Sequence, residues 1–218
     1  MQVIPDQRPK KSSSMTVALL FLVVTGFLVQ GVAGDHQPAD KAGVAASDIE
    51  ILSTPVIDGS SSEEALLLST TLKSSNPTDL ILAVDLECAL WTDVTVIGND
   101  DSQAVATVKI WITIDGEPIT VTSSSEDDEP AKVVFCNRAY RMATTNVDDE
   151  DMQIDTYLST RAAHGFTWVT LNVGSGTHEI EVWGQLDAEV TGTGMAKAGI
   201  GKRILVVEPV KLANDIVI

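Results

Sequence analysis

Three groups of residues in this 218-residue chain have types and spacings that suit chemistry or recognition. Cys88 and Cys136 each lie in an apolar, alternating segment, and two cysteines allow a single intramolecular pairing. In an exported chain that pattern reads as one disulfide. The closed loop of about 49 residues would stabilise the fold by roughly 4 kcal/mol in the loop-entropy description. Zinc is not an alternative. Only His36, His164 and His178 could join the cysteines, and a structural zinc site takes four ligands in close pairs.

The second group is aromatic. Trp91, Trp111 and Trp183 each fall on the polar parity of their segments, among Glu, Lys and Asp neighbours. Apolar rings on a wet face suit a platform for stacking sugar rings, a subunit interface, or a surface covered by a loop. Trp168 has no clear wet side and is expected in the core. The third group is acidic: Asp100-Asp101, Glu126–Glu129 and Asp148–Asp151. Calcium takes six to eight oxygen ligands, so Asp127, Asp128, Asp148, Asp149 and Asp151 are its candidate ligands if their loops meet. No spacing matches an EF-hand, and a solvated charge run is the competing reading.

Catalytic patterns are missing. The chain has no Gly-x-Ser-x-Gly elbow, no His-Glu-x-x-His and no glycine-rich phosphate loop, since Gly192-Thr-Gly194 is too short. Paired carboxylates hydrolyse glycosides, but a chain this rich in acids always brings some pair close, which leaves a glycoside-acting hydrolase without a specific signal. The sequence implies no cofactor other than calcium. His164 is expected in a loop and His178 at the edge of the core.

The N-terminus bounds where such groups would work. Arg8, Lys10 and Lys11 precede the apolar run Val17–Val29, and Gly31-Val-Ala-Gly34 follows. This is the pattern of a signal peptide over residues 1–34, cut after Gly34 or Ala33. A spanning helix would need about 20 apolar residues, more than this run supplies. Cleavage leaves 11 basic against 30 acidic residues. So anionic a protein is a poor partner for nucleic acid or an anionic membrane, both of which call for clustered Lys and Arg. Secretion to the extracellular space or cell surface is the expected localisation, with no membrane attachment after cleavage.

Strands must position these residues. Over Leu80–Val96, every residue of one parity except Thr92 is apolar, the signature of a strand with one buried face. Residues 35–48 read as a flexible linker, with order starting near Ile49. Ile49–Ile57 is a candidate strand broken by Pro55, and Glu64–Leu72 another, with Leu66, Leu68 and Leu72 inward. Ala104–Ile114 alternates and ends at Asp115-Gly116, a strong type I′ hairpin signal that makes Ile119–Val121 an edge partner. Residues 152–158 read as a strand, with a short helix over 149–158 as the rival. Phe166–Val173 and Thr177–Val190 read as a hairpin through Gly174-Ser-Gly176. The last strand, Ala196–Glu208, places Ala196, Ala198, Ile200, Ile204 and Val206 inward.

The segments Glu87-Cys-Ala-Leu-Trp-Thr-Asp93, Val133-Val-Phe-Cys-Asn-Arg-Ala-Tyr140 and Gly201-Lys-Arg-Ile-Leu-Val-Val-Glu-Pro209 resemble predicted secreted bacterial proteins of no assigned function. The resemblance spans most of the mature chain and implies no site residues. About nine or ten short-spaced strands without long helices predict an all-β fold, a two-sheet antiparallel β-sandwich of jelly-roll type over residues 49–218. The expected function is a non-catalytic structural or assembly subunit of the cell exterior, self-associating through edge strands. The alternative is an extracellular carbohydrate- or calcium-binding module with a glycan as partner.

Overall fold

Apolar residues at every second position over long stretches can be buried only if one face of each strand meets another sheet, and that is how the chain folds. The computed structural model describes residues 39–121, 129, 131–145 and 151–212, all within one unit, Pro38–Ile218. Its strands are β1 (Gly43–Ser47), β2 (Ile51–Leu52), β3 (Gly59–Ser74), β4 (Thr78–Ile97), β5 (Asp101–Ile114), β6 (Glu117–Pro118), β7 (Val133–Ala143), β8 (Gln153–Val173), β9 (Gly176–Thr191) and β10 (Thr193–Val210). No helix occurs among the described residues.

One sheet runs β1-β10-β4-β8, with β2 also on β10; the other runs β3-β9-β5, with β6 and β7 both pairing β5. All pairings are antiparallel. Apart from β2 and β6, eight strands divide four and four. The links from β3 to β4, β4 to β5, β7 to β8, β8 to β9 and β9 to β10 each cross from one sheet to the other. That alternation makes the sandwich a jelly roll, as its strand spacing predicts.

The central row of β4 is buried as expected, from Leu80 to Val96, and faces Ala106, Val108, Ile110 and Ile112 of β5 and Ile180, Val182 and Leu186 of β9. Thr92 is buried with them and its hydroxyl has no hydrogen-bond partner. The Asp115-Gly116 turn has φ of 53° and 86°, the two positive values that a type I′ hairpin needs. Its second strand is only Glu117–Pro118; the Ile119 amide still donates to the Ile112 carbonyl at 2.9 Å, but Ile119–Val121 is not a strand.

Four other expectations are corrected. The stretch read as linker contains β1, which pairs with Arg203–Val207 of β10, while Ile49–Ile57 keeps only β2 and an isolated bridge from Val56 to Ala196. Bulges reverse the expected parity in β3 and in β10. One between Leu66 and Leu68 turns Leu66 outward and buries Leu67 and Leu68; one between Ile200 and Arg203 buries Leu205 and Val207 in place of Ile204 and Val206. Residues 153–158 are strand as read, but they belong to β8, which continues to Val173, so His164 lies on a strand opposite Leu86 and not in a loop. Finally, β8 and β9 are not a hairpin. Gly174-Ser-Gly176 carries the chain between sheets, and β8 pairs with β4 while β9 pairs with β3 and β5.

Candidate functional site

The predicted residues fall into three places. Cys88 on β4 and Cys136 on β7 form the disulfide, with Cα atoms 6.6 Å apart, and it joins the two sheets. The signal peptide, Asp127, Asp128, Asp148 and Asp149 lie outside the described residues. Asp151 is exposed, and no group of three potential metal ligands occurs among the described residues. Part of the acidic run is answered by cations: Glu129 pairs with Lys109 and with Lys132, the latter at 3.0 Å.

Trp111 and Trp183 sit directly opposite each other on β5 and β9, on the outer face of their sheet. Their rings are stacked, with centroids 6.3 Å apart and planes 13° from parallel. Lys132 Nζ lies over the Trp111 ring at 4.7 Å, and Leu66 stands opposite Trp183 on β3. A row of cation, indole, indole and leucine therefore crosses the sheet. The Trp183 indole N–H donates to Glu181 at 3.1 Å. Trp91 is not part of this row. It lies on the other sheet under Lys197, 5.4 Å from its ring centroid, and against Gly199, where an added Cβ would come within 3.1 Å of the ring. Trp168 is buried, stacking on Phe135 of β7 and meeting Phe166 edge-on at 4.7 Å.

His178 does bridge two turns at one end of the sandwich. Nδ1 is 2.7 Å from Asp115 in the β5–β6 turn and Nε2 is 2.9 Å from the Gly174 carbonyl in the β8–β9 connection. The Asp115 hydrogen bond raises the pKa of His178, and the same bond lowers that of Asp115. The hollow beside it is lined by Pro118, Ile119, Val169 and Leu171, together with the acids Asp115 and Glu117 and the hydroxyls of Thr120 and Thr170.

Sequence reasoning missed the open edge of β8. Strand β8 is the edge of its sheet, and no described strand pairs with its far side. The opposite sheet does not cover it. Strand β7 packs over β4, to which Cys136 and Arg138 tie it, the latter through a 3.3 Å bond to the Leu90 carbonyl; β7 scarcely meets β8. The first half of β8 therefore overhangs. Ile154 and Leu158, on the parity that faces the core elsewhere, are 37% and 36% exposed, and Tyr157 on the other face is 57% exposed. Residues 153–164 contain no proline and no inward charge, and their register with β4 is unbroken by any bulge. Those are the devices that normally stop edges from pairing. The signal was available in the alternation of Ile154, Thr156, Leu158, Thr160 and Ala162, which looks like a core strand; which strand would lie opposite was not.

No family model matches the chain, and no curated protein does. Among solved structures it is similar to the infectious bursal disease virus Gx strain structure, at 12% identity over 86% of this chain and 42% of that one, with a TM-score of 0.24. The Gt strain structure (13% identity, 85% and 41% covered, TM-score 0.21) and the infectious bursal disease virus VP2 subviral particle (14%, 86% and 48%, TM-score 0.16) are also similar. The chain spans less than half the length of each. Likenesses this slight carry no argument about function.

Proposed function

We propose that this protein is an exported, non-catalytic assembly subunit of the cell exterior that joins its neighbours through the free edge of β8. The observation that supports this most directly is the overhang of residues 153–164, an unguarded strand with apolar side chains exposed on the face that would otherwise be core. Such an edge is a liability in a protein that works alone and an asset in one that assembles. The test is sedimentation velocity of the full-length protein over a hundredfold dilution. An oligomer that persists at high concentration and dissociates on dilution supports the assembly reading; a monomer throughout overturns it.

A second reading, an extracellular glycan-binding module, is favoured by the contact between Trp111 and Trp183 on an outer face. Against it, the lysine over Trp111 and the stacking of the two rings occupy faces that a sugar would need. Titration with soluble oligosaccharides, read by tryptophan fluorescence in the wild type and in Trp183→Ala, decides the point. Saturable quenching lost in the variant would support it, and no response to any glycan would remove it.

A further inference from the structure

Resting on the assembly reading, we propose that the occupant of the β8 edge is the β8 edge of a second copy of this chain, paired antiparallel about a two-fold axis at Leu158. The phase of the backbone comes first. The Gly98 amide donates to the Met152 carbonyl at 2.9 Å, and the register with β4 continues from Ile97 opposite Gln153 without a slip. Even-numbered residues of this half of β8 therefore turn their N–H and C=O groups toward β4, and residues 153, 155, 157, 159, 161 and 163 turn theirs to the open side. A partner strand must bond to those odd-numbered residues, so in a two-fold pairing odd residues face odd residues.

Charge then selects one register. Asp155 and Arg161 are the only formally charged side chains on β8 at neutral pH, and both lie on the outer face. Centring the axis on Leu158 sets Asp155 opposite Arg161 twice, once on each side, and Tyr157 opposite Ser159. On the inner face it sets Ile154 opposite Ala162, Thr156 opposite Thr160, and Leu158 opposite itself. Opposite charges, threonines and apolar groups are matched, which are pairings that cross-strand packing favours. Moving the axis to residue 157 or 159 breaks both charge pairs. Arg161 already contacts Glu50 and, at 3.9 Å, Glu87, yet its side chain stays 54% exposed. The partner's Asp155 therefore approaches an accessible guanidinium. The product is one continuous sheet running through two sandwiches, with Leu158 against its symmetry mate and Ile154 against the Ala162 of the second copy.

Sedimentation of the full-length protein with Arg161→Asp, Asp155→Arg and the double exchange tests the register. Each single reversal sets like charges face to face twice and is expected to weaken the dimer at least tenfold, and the double exchange to restore it. A folding defect in Arg161→Asp would not obscure this, because Leu158→Cys gives an independent readout. At a non-bonded pair, Cα atoms on facing strands lie about 4.5 Å apart, within disulfide reach, so the variant should form a covalent dimer under mild oxidation. Thr167→Cys, away from the axis, should not. A dimer indifferent to both charge reversals, whose Leu158→Cys variant does not cross-link, overturns the β8 register while assembly by another surface stands. A monomer at every concentration overturns both.

Discussion

Along the side of the sandwich where β1, β2 and β3 lie, the two sheets are stitched together from within, whereas along the side of β7 and β8 they are joined only part of the way. On the first side, the Gly43 backbone comes against Thr70, where an added Cβ would touch the Thr70 side chain at 3.7 Å. Arg203, 6% exposed, reaches across from β10 to donate to the Leu67 carbonyl at 3.1 Å, the Ile49 carbonyl at 2.6 Å and the Gly201 carbonyl at 3.0 Å. One guanidinium thus holds the bulges of β3 and β10 together. On the second side, the ties are the disulfide, the Arg138 bond to Leu90, and the ring cluster of Phe135, Trp168 and Phe166. All leave the first half of β8 outside. An edge with its polar groups paired inward is closed to partners, and an edge that overhangs its opposite sheet is available to them.

The largest effect that can sharpen this contrast is expected from Trp168→Ala. The ring is buried against two other aromatic groups, so truncation should cost about 3–5 kcal/mol in denaturant unfolding. A smaller loss would mean that the packed half of β8 is as loosely held as the overhanging half. Replacing Cys88 and Cys136 together by serine should cost roughly 4 kcal/mol at most, since the loop they close is freed in the unfolded chain. Thiol titration of the denatured, unreduced wild type should find no free group.

On the closed side, Arg203→Met removes the donor from three carbonyls. Each orphaned buried acceptor costs about 1–3 kcal/mol, but relief of a buried charge offsets part of that, leaving a net loss of about 2 kcal/mol. An unchanged unfolding midpoint would show that packing alone closes that side.

The smallest effect concerns the tie at the end of the sandwich. Because the folded-state pKa of His178 is raised, its contribution is complete below the ordinary histidine value of about 6.5 and is lost as pH rises through the raised value. Asp115, whose pKa is lowered, contributes above the ordinary carboxylate range and loses that as pH falls through its lowered value. Thermal stability should therefore decline in the wild type as pH rises above about 6.5 and through the raised value, and less so in His178→Gln. Equal slopes would show that the bridge from Asp115 to Gly174 does not hold the β8 exit.

What the sequence by itself determined is local: period-two alternation from Leu80 to Val96 names a buried face, Asp115-Gly116 names a hairpin because few residues accept two positive φ values, and two cysteines leave one pairing. Alternation is blind to a bulge, because one extra residue reverses every later side chain. Leu66 and Ile204 were thus assigned inward although the folded chain turns both out. It is equally blind to which strand follows which in space. Gly174-Ser-Gly176 reads as a hairpin turn and serves as a passage between sheets, and the apolar row of Ile154 and Leu158 reads as core although no described strand lies over it. Burial depends on what stands opposite, and only the tertiary structure, by seating β7 on β4, decided that this row would face solvent.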